Sequence, residues 1–194
     1  MLPTIHVIDF EGNKKYGILE WGVATLSNGE VTNVMYSRCR SDRGATERDF
    51  REHSRFEDAR ELKSFSEQIP LFVKLRQTGL LGAHSATTEE NLLKTYQFSP
   101  GKVPSFLFEN SEISTWGPWI DSCLLAKHFF KVEGGYSLSN LCKTFCLEPE
   151  INKIENNFPT SKNYVQFHRA RHDAIASAVL LNLIISVNQI NFTT

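Results

Sequence analysis

Apolar and polar positions divide the chain into a strand-rich opening and a helix-rich remainder. Residues 4–10 form an apolar run that reads as a first strand. "YGILEWGVATLSNGEV" follows, with Asn28-Gly29 between two β-rich segments. Asn-Gly supplies the left-handed residues of a tight hairpin turn, so strands near 17–26 and 31–38 are expected to pair antiparallel. Beyond them, "ARELKSFSEQIPLFVKLRQTG" (59–79) places Leu62, Phe65, Ile69, Phe72, Val73 and Leu75 at near-helical spacing and stops at Gly79. The run "LLGA" predicts a short buried strand, and a helix is expected from about 88 to 97.

The second half continues in the same manner. "PSFLFEN" reads as a strand or a loop, "WGPWIDSCLLAKHFF" as a strand leading into a helix, and "YSLSNLCKTFCL" as another short helix. Residues 150–166 are polar, carry Asn156-Asn157 and Pro159, and read as a loop. A helix over about 170–187 closes the pattern. A hairpin start followed by alternating helices and strands predicts an α/β domain with a mixed sheet. At 194 residues the chain is expected to form a single domain over 1–194.

Composition narrows the classes. The chain is 41% hydrophobic with 14 Phe, enough for a substantial core, and its formal net charge is -1. No global basic field marks a polyanion partner, so any such partner must be held by local groups or metal ions. Residues 41–63 and their flanks interleave Arg38, Arg40, Arg43, Arg48, Arg51, Arg55 and Arg60 with acids, and read as a solvated surface rather than a substrate patch. Cys39, Cys123, Cys142 and Cys146 form no CxxC pair and read as free thiols. The apolar "AIASAVLLNLIISV" is shorter than the roughly 20 residues of a membrane span and contains Asn182, so it reads as a buried helix. A soluble cytoplasmic protein without a membrane partner is the expectation.

Three acidic positions ask for a cation. Asp9 and Glu11 share a strand face with Ile5 and Val7, where a solvated strand end and a divalent metal are the two readings. In "LLGAHSATTEENLLKTY", Thr87 and Glu90 fit a capping box, and Glu90 also pairs with Lys94 one turn on. Glu89 instead falls on the inward face with Leu92, Leu93 and Tyr96, where a carboxylate is costly unless paired. Asp173 opens the last helix, where it either offsets the helix dipole or joins a site. His168 stands five residues earlier, and two helical residues so spaced point about 140° apart. To act with Asp173, His168 must precede the helix.

The order of these elements resembles the DEDDh family of 3′→5′ exonucleases, whose members include ribonuclease T, oligoribonuclease and the bacterial DNA polymerase III proofreading subunit. "VIDFEG", "GAHSATTEENLL" and "HRARHD" look like its three motifs, with "WIDSCLLAK" and "YSLSNLCKTF" between them. The resemblance implies a ribonuclease H-like fold, with the first three strands antiparallel and helices flanking the sheet. It implies that Asp9, Glu11, Glu89 and Asp173 hold two Mg²⁺ or Mn²⁺ ions and that His168 is the general base. The implied reaction is hydrolysis at single-stranded DNA or RNA 3′ ends, releasing nucleoside 5′-monophosphates. Phe10, Gly12, His84 and Ser85 are candidate substrate contacts. Two departures stand out: Ser85 and Glu89 occupy positions where the family usually has Asn and Asp, and Gly12-Asn13 replaces a common Thr-Thr. Glu89 gives a catalytically impaired binding or scaffolding relative as the alternative. Asp121 falls on no metal position of the family and reads as structural. A monomer and a homodimer both fit.

Overall fold

The computed structural model describes residues 3–43, 62–104, 111–159 and 169–190. Strands β1 (Ile5–Asn13), β2 (Gly17–Ser27) and β3 (Glu30–Arg38) form the antiparallel opening. Asn28 and Gly29 both take positive φ, 53° and 83°, as the Asn-Gly signal requires. Helix α1 (Ile69–Thr78) leads to β4 (Leu80–Ala83), which pairs parallel with β1. Helix α2 (Ala86–Lys94) and a two-residue ladder of β5 (Val103–Pro104) and β6 (Glu112–Ile113) follow. Strand β7 (Trp119–Asp121) then joins β4 in parallel. Helices α3 (Ser122–Phe129), α4 (Leu138–Thr144), α5 (Glu148–Asn157) and α6 (Ala170–Val187) complete the order. The main sheet runs β3-β2-β1-β4-β7, a mixed α/β sheet with helices on both faces.

Strand parity decides which side chain meets which layer. Ile5 and Val7 pack into the core that contains α6, whereas Ile8 and Phe10 pack into the opposite core with α1 and α2. Ten of the eleven β2 residues are buried, because this strand is covered on both faces. Helix α6 buries thirteen of its eighteen residues, so the apolar C-terminal run is a core helix. All four cysteines are free thiols.

Several boundaries differ from the sequence pattern. Leu62 and Phe65 do not continue α1. A 3₁₀ turn (Ser66–Gln68) precedes it, and the helix starts at Ile69 with Pro70 in its first turn. Residues 150–157 of the expected loop belong to α5, which buries Ile151, Ile154 and Glu155 along one side and leaves its other polar residues in water. The two asparagines mark the end of that helix rather than a loop throughout. The readings of 44–61 and of most of "PSFLFEN" lie outside the described residues.

The expected capping box is also absent. Helix α2 begins at Ala86, so Thr87 lies within its first turn, and its N-cap Ser85 makes no side-chain cap. Asp121 performs the task from the end of β7. Its carboxylate accepts hydrogen bonds from the N–H groups of Ser85 (3.2 Å) and Ala86 (2.9 Å). It also accepts from Cys123 (2.9 Å) and Leu124 (3.1 Å) at the start of α3. One side chain therefore satisfies orphan donors at two helix N-termini. The Glu90–Lys94 pair does form, at 2.9 Å.

Asp121→Ala is expected to cost about 2–4 kcal/mol, because two caps are lost together. Asp121→Asn should fall between it and the wild type. Urea unfolding followed by far-UV circular dichroism measures both, and an Ala variant as stable as wild type would remove the double-cap assignment.

Candidate metal centre

Asp9 and Glu11 sit at the end of β1, on the face that Ile5 and Val7 turn toward α6. The partner of Asp9 on β2 is Gly22. A Cβ on Gly22 would collide with the Ala170 carbonyl, so the missing side chain is what lets the first turn of α6 reach the sheet. Asp173 lies one turn into that helix and so arrives beside Asp9. One carboxylate oxygen each from Asp9, Glu11 and Asp173 lie within 4.8 Å of one another, the metal-type cluster among the described residues.

Two further carboxylates hold this helix start. Glu20, only 2% exposed, accepts the Ala170 N–H at 3.1 Å and lies 3.5 Å from Arg169 Nη1 and 4.0 Å from Arg38 Nε. On the other side Glu155 Oε1 is 3.0 Å from His172 Nδ1 and 3.4 Å from Arg171 Nη1. Neither Glu20, Gly22 nor Glu155 drew notice in the sequence. The signal for Gly22 was a glycine inside an otherwise continuous apolar strand, which marks a close backbone approach.

Glu89 stands apart from the trio. It is buried on α2, which packs into the opposite core through Leu92 and Leu93, as the inward face predicted. Strand β4 pairs with β1 only from Ile5 to Val7. Beyond Val7 the edge of β1 is open, and Glu89 Oε2 accepts the Phe10 N–H there at 3.0 Å. Glu89 is thus an electrostatic neighbour of Asp9 and Glu11, although its oxygens are not among the three that converge.

Electrostatics shows what the cluster lacks. Burial, then the charges of Glu89, Asp173, Glu11 and Glu20, hold the Asp9 carboxyl well above the usual range. Burial raises Glu89 as well, with the Phe10 N–H opposing it and Glu11 adding to it. Two unit charges at the separation seen here repel by roughly 3 kcal/mol at an effective dielectric of about 20. Asp9 Oδ2 is buried with no hydrogen-bond partner among the described residues. An all-oxygen donor set with one orphaned buried oxygen fits a hard divalent cation.

The remaining sequence candidates fall elsewhere. His168 lies outside the described residues, immediately before the N-cap Arg169 of α6. Phe10 is corrected as a stacking surface: its ring is 5% exposed and packs against Phe65 and Phe72 at 5.3 and 5.2 Å. Only its backbone serves the site. His84 is half-buried with both ring nitrogens engaged, Nδ1 with Ser122 Oγ at 2.9 Å and Nε2 with the Tyr136 carbonyl at 3.0 Å. A carbonyl cannot donate, so Nε2 carries the proton and donates it. Gly12 lies at a bulge after Glu11, where a Cβ would strike the Gly17 carbonyl. Ser85 is exposed in the left-handed region, at φ 65°.

No protein-family model matches the chain, and no curated protein matches it. Solved structures do. One, of Exonuclease X in complex with 5′ overhanging duplex DNA, superposes with a TM-score of 0.64 at 20% identity, covering 96% of this chain and 94% of that one. Another, of 3′-end specific recognition of histone mRNA stem-loop by 3′-exonuclease, gives 0.55 at 14% identity, covering 96% and 82%. The likeness shows the fold: a ribonuclease H-like α/β sheet flanked by helices.

Raised folded-state pKa values make the metal-free protein lose stability as pH rises. Below about pH 4 Asp9 and Glu89 are protonated in both states. Between that value and their higher folded values, the unfolded chain ionises first and unfolding is favoured. In EDTA this cluster should therefore stabilise the protein more at pH 5 than at pH 7.5. Mn²⁺ should raise Tm at pH 7.5 and do so less at pH 5. Asp9→Asn should raise the metal-free Tm by roughly 2–4 °C, about 1 kcal/mol for a chain of this size, and abolish most of the Mn²⁺ response. Differential scanning fluorimetry reads all of these, and a Tm indifferent to Mn²⁺ at both pH values would contradict a metal centre.

Proposed function

We propose that the chain is a single-domain, divalent-metal-dependent 3′→5′ exonuclease that hydrolyses the terminal phosphodiester of single-stranded DNA or RNA. The observation that carries this reading is the convergence of Asp9, Glu11 and Asp173 where α6 meets the end of β1. The fold is shared with structures of Exonuclease X and of a 3′-exonuclease, which supports it. Asp9, Glu11 and Asp173 would hold the ions, with Glu89 completing the set from the strand edge. Two Mg²⁺ or Mn²⁺ ions held there would supply positive charge for activating water and stabilising the leaving oxygen in phosphoryl displacement.

The chain's own residues do the rest. His168 would take the proton of the attacking water, because an imidazole has a reference pKa near 6.5 and so suits a general base close to neutral pH. In the sequence His168 directly precedes Arg169, the N-cap of α6. Gly22 and Glu20 keep the first turn of α6 against β2, and so position Asp173. The product is a nucleoside 5′-monophosphate. Free thiols accord with a cytoplasmic setting.

A second reading follows from Glu89. Its bond to the Phe10 N–H and its place outside the three-oxygen cluster favour a relative that binds nucleic acid with little or no turnover. The two readings separate in one assay. A 5′-labelled single-stranded oligonucleotide with Mn²⁺ should shorten stepwise from its 3′ end, and EDTA should stop it.

His168→Ala should reduce the rate by about 10²–10⁴-fold, the usual range for a general base. Glu89→Gln keeps an acceptor for Phe10 but removes the charge. It should lose at least about 100-fold in rate while its Tm stays at or above that of wild type. Binding of intact substrate without shortening, with matched DNA and RNA both tested, would install the second reading.

A further inference from the structure

Among the described residues α5 contributes no oxygen to the acidic cluster, yet its last turn grips the two residues that precede Asp173. Glu155, 7% exposed, accepts from His172 Nδ1 at 3.0 Å and from Arg171 Nη1 at 3.4 Å, both through Oε1. Arg171 returns the contact. Its Nη2 donates to the carbonyls of Glu155, at 3.3 Å, and of Phe158, the C-cap of α5. Carbonyls at a helix C-terminus lack intrahelical donors, and the guanidinium satisfies them here. Burying a carboxylate costs free energy that its partners must offset. Both partners of Glu155 come from consecutive residues of one helical turn.

The placement of these contacts around α6 decides what they can do. Successive helical residues are turned by about 100°. Ala170 and Asp173, three apart, therefore share the side toward the sheet, whereas Arg171 and His172 lie between them on the side toward α5. Gly22 and Glu20 act on the Ala170 backbone, where they fix how near the turn comes to β2. A contact so close to the helix axis resists rolling weakly, because its lever arm is short. Arg171 and His172 reach Glu155 from the ends of long side chains, and two such contacts on one oxygen oppose a roll in either direction. Side-chain tips stand about 5–6 Å from a helix axis, so a roll of about 10° would carry the Asp173 carboxylate about 1 Å. Metal ligands are held within about 0.2 Å of their ideal distances. The charges that raise Asp9 are those of Glu89, Asp173, Glu11 and Glu20, and that of Glu155 is not among them. Glu155 therefore reaches the cluster through geometry.

We propose that Glu155 is a positioning residue for the metal centre: by holding Arg171 and His172 it sets the roll of α6 and aims the Asp173 carboxylate at Asp9 and Glu11. Ion affinity then depends on a residue that touches no ion and lies on a helix outside the cluster. Outer partners that orient a ligand typically contribute about 10–100-fold to metal affinity. Glu155 has this role only if the acids bind divalent metal, as the proposed function holds, and has it whether or not the bound ions hydrolyse a substrate.

Calorimetric titration of the full chain with Mn²⁺, well below each variant's Tm, reads the affinity without nucleic acid. Glu155→Ala removes the grip and should weaken Mn²⁺ binding by about 10–100-fold while circular dichroism shows an intact fold. Glu155→Gln keeps an acceptor at Oε1 and the packing volume, and should recover most of that loss. Arg171→Met leaves His172 on Glu155 but removes the second point of contact, and should weaken binding about tenfold. Glu150→Gln, on the exposed side of the same helix, should bind as wild type does. A folded Glu155→Ala or Arg171→Met that binds Mn²⁺ as tightly as wild type would overturn the proposal. So would failure of both to fold, which would make the grip a requirement of the fold alone. Equal weakening in Glu155→Gln and Glu155→Ala would overturn it too, because charge rather than geometry would then act. Wild type that binds Mn²⁺ yet leaves the oligonucleotide intact would end the nuclease reading and leave the role of Glu155 standing. Wild type that binds no Mn²⁺ would end both.

Discussion

Everything at the acidic site depends on how closely the first turn of α6 can approach the sheet. Gly22 sets that distance, because any Cβ there would occupy the volume of the Ala170 carbonyl. Since Gly22 is also the cross-strand partner of Asp9, the same contact brings Asp173 to the one strand end that already carries two carboxylates. Repulsion among the three acids opposes the approach. Glu20 and Glu155 counter it by binding the backbone and basic side chains of the same helical turn. The fold thus holds together a cluster that a cation would stabilise and that water alone would disperse.

Glu89 belongs to a different layer from the trio. Its helix packs on the opposite face, and its carboxylate reaches β1 through the edge left open where β4 ends. The side chain is one methylene longer than the Asp usual at this position of the resembled family. That length is what joins α2 to the Phe10 N–H. Asp121 ties the start of the same helix to the start of α3, so α2 is held at its N-terminal end and again at Glu89. Among the described residues two charge features of opposite sign also lack full compensation: the acids where α6 meets the sheet, and Arg76 in the last turn of α1, which is buried with Nε and Nη1 unpartnered. Both are unusual by the ordinary cost of burying charge.

Much of this was legible in the residue pattern. The Asn28-Gly29 turn, the alternation that puts Asp9 and Glu11 behind Ile5 and Val7, and the inward face of Glu89 are local consequences of strand and helix periods. The misses have physical causes. Residues 150–157 looked like a loop because α5 buries only a narrow side against α6, leaving a mostly polar sequence. The Thr87–Glu90 capping box was a sound local solution that lost to a better one, the Asp121 carboxylate, which sequence distance hid. Phe10 was offered as a stacking surface, but strand parity sends its ring to the core opposite the acids.

The sequence by itself determined the sheet's hairpin start, the strand faces and the identity of the acidic side chains, because these follow from backbone periods over a few residues. Only the tertiary structure decided which of those acids meet. Separations of a few ångströms between Asp9 and Asp173, 164 positions apart in the chain, arise from packing two elements at a contact permitted by a missing side chain on a third. The isolation of Arg76 was likewise invisible in one dimension. Whether a charge has a partner depends on what the fold places around it, and periodicity carries no information about that.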